Sequence, residues 1–118
     1  MATFQYAPQK ENKGFPKGEK FSFTDSVSYA DGSIVSKILV RNDKGNVTMF
    51  AFDQGESLSE HTTPYDALLQ VFDGEAEIII DGVSHLVQSG ESILMPANIP
   101  HAVMATQKMK MLLTMIKG

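Results

Sequence analysis

The side chains best suited to chemistry in this chain are two histidines, each set in a short, regularly spaced block. The first block runs Gly55, five residues, His61, then Gly74 thirteen residues further on. The second runs Gly90, five residues, Pro96, then His101. Both open on the tripeptide Gly-Glu-Ser, at 55–57 and again at 90–92. A neutral imidazole offers a lone pair and titrates near neutral pH. Such a pair can bind Zn²⁺, Ni²⁺ or Cu²⁺, move a proton, or hydrogen-bond a ligand. The absence of cysteine removes disulfides, thiolate metal sites and cysteine nucleophiles together, and fits a reducing cytosol. No Ser-His-Asp order, phosphate loop or dinucleotide fingerprint is present. His85, just after a hairpin and outside both blocks, reads as a solvent-facing or edge residue.

The elements that must position these residues are strands. From Phe21 onward, short apolar runs alternate with turn residues. Asp31-Gly32, Asp73-Gly74 and Asp81-Gly82 suit tight hairpins, because glycine takes positive φ freely. Asp43-Lys-Gly-Asn46 and Ser89-Gly90 mark further turns. The spacing predicts strands near 20–29, 33–42, 46–53, 58–63, 67–73, 75–81, 83–88, 91–96, 100–106 and 108–116. No segment carries 3.6-residue periodicity, so almost no helix is expected. Residues 21–118 therefore form one all-β domain, and residues 1–20, with Pro8, Gly14, Pro16 and Gly18, form an irregular arm. Phe4, Tyr6 and Phe15 make that arm too apolar for a solvated tail. It either lies over its own barrel or packs on a second subunit.

Strand alternation then orients the candidates. His61, Thr63, Ala67, Leu69 and Val71 share one parity, which places His61 with residues that must point inward. His101 and Val103 make a similar pair on a later strand. The two imidazoles are expected to converge inside the barrel, beside Thr63. Asp66 has the wrong parity and Glu60 precedes this run, so neither carboxylate is expected to join them.

The two blocks together resemble the two motifs of the cupin barrel, over roughly residues 33–116. The family's first motif has Gly, five residues, His-x-His, a glutamate and a later Gly; Gly55, His61 and Gly74 match it. Thr63 stands at the second histidine position and Ala67 at the glutamate position. In the second motif Gly90, Pro96 and His101 match, while Asn98 replaces a glycine and Ala105 an asparagine. Asn98 is a mild change, since asparagine tolerates the left-handed turn. The resemblance implies a double-stranded β-helix, or jelly-roll barrel, that commonly pairs as a homodimer. Full-motif members hold a divalent metal through three histidines and a glutamate. This chain keeps His61 and His101 of that set. Two readings of the pair stay open: interior hydrogen-bonding groups, or ligands to one divalent transition metal (Zn, Ni, Fe or Cu) completed by water or substrate.

Other residues bear on the ligand. Tyr65 follows Pro64 at the expected barrel mouth, and Gln70 and Met95 lie in or beside the blocks. The candidate pocket is thus His61, Thr63, Tyr65, Gln70, Met95 and His101. Most of the seven methionines read as core filler. On the last strand Met109, Met111, Leu113 and Met115 alternate with Lys110, Leu112, Thr114 and Ile116, so both faces need cover. Between Lys44 and Lys108 there is no Lys or Arg, while nine carboxylates fall there. A buried anion needs a guanidinium or ammonium partner, and only Lys37, Arg41, Lys108 and Lys110 flank the blocks. A neutral or weakly polar ligand is favoured. The acidic body, net charge −4, suits no phosphate backbone. No apolar run is long enough to span a bilayer, and the N-terminus carries no secretion signal, so a cytoplasmic protein is expected. The functional expectation is a stand-alone small-molecule-binding cupin. The alternatives are a divalent-metal-dependent oxygenase or isomerase using His61 and His101, a metal-free acid–base catalyst, and a partner-binding barrel.

Overall fold

The computed structural model describes residues 15–117; Phe4 and Tyr6 of the arm lie outside them. Among the described residues a single short helix, α1 (Phe23–Ser26), precedes nine strands. These are β1 (Ile34–Asn42), β2 (Gly45–Phe52), β3 (Ser57–His61), β4 (Tyr65–Asp73), β5 (Glu75–Ile80), β6 (Val83–Gln88), β7 (Ser92–Met95), β8 (His101–Ala105) and β9 (Met109–Lys117). All strand pairs are antiparallel and form two sheets, β1-β2-β9-β4-β7 and β3-β8-β5-β6. The inner faces of the two sheets close around one core that includes Phe52, Leu69, Val71, Ile78, Met109 and Met111, each almost wholly buried. The chain is therefore all-β, in keeping with its short, evenly punctuated strands, and its two sheets take the jelly-roll arrangement that the resemblance implied.

One expectation fails. No strand forms over 20–29; the segment instead contains α1 and lies across the outer face of the five-stranded sheet. Val27 is buried there with Met49 and Ala51, and Phe15, Phe23, Tyr29, Val35, Leu39 and Leu112 pack around them. Phe23 stacks on Phe72 at 4.1 Å, and the Tyr29 hydroxyl donates to Asp73 at 2.6 Å. Burial and this acceptor raise the Tyr29 pKa above its ordinary value. Lys37 and Lys110 donate to the Ser26 and Thr24 carbonyls. The apolar residues at 21–29 thus read as a strand by composition, yet they serve as a cover for a face that the barrel leaves apolar.

That cover reaches only part of the sheet. The cross-strand registers put Val40, Val47, Thr114, Leu68 and Leu94 in one row spanning all five strands on the outer face. Leu94 is 63% exposed and Val40 45%.

Turns hold the strands in register. Asp81 and Gly82 both have positive φ, 51° and 81°, the pair of values a type I′ hairpin requires. Gly74 is constrained twice: its φ is 75°, and a Cβ there would lie 1.8 Å from the Lys108 carbonyl oxygen. Gly74→Ala is expected to lower the unfolding free energy by at least ~2 kcal/mol, since left-handed strain alone costs about 1–3 kcal/mol. Urea titration of the two proteins measures this, and an unchanged midpoint would contradict the register described.

Candidate functional site

Antiparallel pairing of β3 with β8 sets His61 directly opposite His101. The rings meet edge to face with centroids 4.5 Å apart. His101 is buried, whereas His61, the last residue of an edge strand, is exposed at the rim. Each Nδ1 lies against the carbonyl two residues earlier in the chain: His61 against Ser59 at 2.8 Å, His101 against Ile99 at 3.1 Å. A carbonyl only accepts, so Nδ1 donates in both rings, and each neutral ring keeps its Nε2 lone pair for something else. Burial pushes the His101 pKa below its ordinary value, its bond to Ile99 partly opposes this, and the neighbouring His61 adds to the lowering.

The two motif loops are tied to each other beside this pair. Asn98 N–H donates to the Thr63 carbonyl at 2.7 Å, and Ala97 N–H to Asp66 Oδ1 at 2.9 Å. Asn98 takes φ 64°, the left-handed conformation that the glycine-to-asparagine change allows.

Both histidines line a cavity of about 240 Å³ between the sheets. Its walls are mainly apolar: Leu58, Ala67, Leu69, Met95, Val103, Met111 and Leu113 are among them. Thr63 and Met95 also line it. Tyr65 and Gln70, expected in the pocket, are not among the lining residues. Gln70 has the parity opposite to inward-facing Ala67 and Leu69, and pairs with Leu112 and Ser92 on the outer side. Tyr65 stands at the first position of β4, where its main chain is taken up by the Thr63 hydroxyl. His85 is half-buried on β6, the edge of the four-stranded sheet, opposite Ile78.

Sequence reasoning missed three polar lining residues on β1 and β2, Ser36, Asn46 and Thr48, and named Arg41 only as a cation flanking the blocks. The Thr48 hydroxyl donates to Asn46 Oδ1 at 3.0 Å. Arg41 reaches the inner face because β1 is bulged between Ile38 and Val40, and a bulge switches the parity of every residue beyond it in the strand. Arg41 therefore lines the cavity despite the long stretch without Lys or Arg that follows it. No Asp or Glu is among the lining residues.

Chain connections fix depth within the cavity. β3 ends at His61 and passes through Thr63 into β4, so the imidazoles and the Ala67 end of β4 share the mouth. At the opposite end Gly55 N–H donates to the Ala105 carbonyl.

The matching family is the one described as "Cupin domain", over residues 48–117. The chain belongs to the cupin family. Among solved structures it is similar to a conserved protein of unknown function from Streptococcus pyogenes: 32% identity, TM-score 0.85, covering 89% of this chain and 92% of that one. It is also similar to a cupin 2 conserved barrel domain protein from Leptotrichia buccalis, 46% identical with TM-score 0.80, covering 82% of this chain and 47% of that one. A cupin superfamily protein from Desulfitobacterium hafniense shares the fold, at 24% identity and TM-score 0.83, covering 90% of this chain and 97% of that one. No curated protein matches.

The residues of this cupin do not fit the four-ligand metal of full-motif members. Thr63 presents a neutral hydroxyl already engaged by the Tyr65 main chain, and Ala67 has no donor atom. Among the described residues no three His, Cys, Asp or Glu side chains converge. Two imidazole nitrogens are half of such a site.

The His101 shift has a consequence for stability. A folded-state pKa below the unfolded value means that the native protein binds fewer protons than the unfolded chain below about pH 6.5. His101 therefore supports stability above that pH, and the support is lost as pH falls. Tm is expected to drop between about pH 7 and about pH 5, and to drop less in His101→Gln. Calorimetry at matched pH values checks this, and equal slopes in the two proteins would refute it.

Proposed function

We propose that this cupin binds a small neutral or weakly polar organic ligand in the cavity between its sheets, at His61 and His101. One observation carries the reading: an apolar cavity opens on two imidazoles whose Nδ1 atoms are occupied and whose Nε2 atoms remain acceptors. A ligand hydroxyl or N–H can donate to them while its hydrocarbon part is removed from water, the usual composition of a small-molecule site. The cavity, about 240 Å³, lies below the common range for drug-sized ligands, so the ligand is small. No carboxylate backs either imidazole, which leaves a protonated ring without the partner that general-base catalysis normally uses.

A thermal-shift screen of small alcohols, ketones and amides against wild type and His61→Ala/His101→Ala is the direct test. Stabilisation of wild type that the double variant loses is expected. Elemental analysis of the same two proteins covers a divalent transition metal. A near-stoichiometric Zn, Ni, Fe or Cu that disappears in the double variant would replace the ligand reading with a metal-dependent one. The lack of cysteine suits a reducing compartment such as the cytoplasm.

We also infer a homodimer through the partly exposed row Val40–Val47–Thr114–Leu68–Leu94. The row is straight and uncharged, and it crosses the full width of the sheet. The same row on a second copy is an apolar partner of equal width, and an isologous two-fold contact buries both at once. Leu94→Glu is expected to convert a dimer to a monomer in light scattering with the melting temperature little changed. A wild-type monomer would sink the inference.

A further inference from the structure

The cavity has a polar group at its inner end as well as at its mouth. Ser36 lies on β1 opposite Phe50, which pairs with Met111, which pairs with Val71. This row is four residues deeper along β4 than Ala67 at the mouth, about 13 Å at ~3.3 Å per residue. Ser36 lines the cavity and is 7% exposed. Its hydroxyl has no hydrogen-bond partner among the described residues. A buried hydroxyl without a partner costs stability, whereas an alanine on the same strand would pack against Phe50 and Met111 at no such cost. Other buried polar side chains here are engaged: Thr48 donates to Asn46 and the His101 Nδ1 bonds to Ile99. The exception sits on the cavity wall.

We propose that Ser36 is the inner anchor of the ligand, and that the cavity takes an elongated molecule with an uncharged oxygen at each end and a hydrocarbon middle. The inference rests on the ligand-cavity reading above and deepens it. The mouth end must donate, because the two Nε2 atoms accept. The inner end meets a hydroxyl, which serves a carbonyl or a hydroxyl equally. It must be uncharged: Phe50 and Met111 surround that depth, the lining there offers no cation, and an ion removed from water with one hydroxyl partner is strongly disfavoured. The middle, beside Leu69, Leu113, Leu58 and Val103, calls for methylenes. At about 1.2 Å of advance per extended single bond, the nine bonds between the oxygens of 1,8-octanediol span ~11 Å. That is close to the ~13 Å between the Ala67 and Val71 rows.

The test is isothermal titration of 1,8-octanediol and 1-octanol into wild type, Ser36→Ala and Ser36→Cys. Wild type is expected to bind the diol more tightly than the mono-alcohol. Ser36→Ala is expected to lose about five- to tenfold in diol affinity, the usual worth of one hydrogen bond, and to bind octanol within about twofold of wild type. Ser36→Cys, close in volume with a weaker donor, falls between. Without ligand, Ser36→Ala is expected to melt no lower than wild type, which a structural hydroxyl would not allow. Equal diol affinity in wild type and Ser36→Ala would overturn the anchor and leave the ligand cavity standing. Failure of wild type to bind either probe would overturn both.

Discussion

The site depends on one cross-strand pairing. β3 and β8 bring His61 and His101 into register, and side chains opposite each other on one face of an antiparallel pair must meet. A slip of one residue would send one imidazole to solvent and leave the other among Val103 and Ile80 with no companion. The register is protected by what lies on either side. Leu58 pairs with Val103, Ile80 pairs with His101 from the other flank, and the loop beyond His61 is tied to the loop before His101 through Thr63 and Asn98. The imidazoles sit where apolar packing and main-chain bonds have already fixed the strands.

Much of the barrel is legible in the sequence because its signals are local. Alternation along 65–71 and 109–115 marks the inward faces, and the Asp-Gly pairs mark tight turns. The short blocks around His61 and His101 carry the family. Some of the illegible parts trace to β-bulges. β3 has an irregularity between Leu58 and His61, so both face inward despite opposite parity. β1 has another between Ile38 and Val40, which turns Arg41 onto the cavity wall. One extra residue in a strand leaves no mark in composition, yet it reverses every orientation inferred beyond it. Gln70 misleads for a different reason: its amide suggests a ligand contact, but parity along β4 decides which way it points. The strand expected at 20–29 shows the limit of hydrophobicity itself, which registers that a segment is covered but not whether it is pleated.

The remnant of the family's metal centre is informative as chemistry. Removing a histidine and a glutamate from a four-ligand set leaves two rings whose Nδ1 atoms are still oriented by carbonyls. That orientation, useful for ligating a metal, is equally useful for presenting two acceptors to a ligand. Threonine and alanine at positions 63 and 67 add little volume, so the space and the apolar walls remain. The lining keeps no carboxylate, and with it goes the negative charge that would balance a cation.

The two walls of the cavity also differ in how they can move. Near the imidazoles, Asn98–Thr63 and Ala97–Asp66 hydrogen bonds link the loops at the ends of β3, β4, β7 and β8, and Asp81–Pro100 ties in the turn between β5 and β6. Across from it, β1 is an edge strand bonded only to β2, and edge strands open locally at lower free energy than internal ones. β1 carries Ser36 and Arg41. Local opening of this strand would release the hold of Ser36 on the inner end of the cavity while the braced rim kept the imidazoles in place.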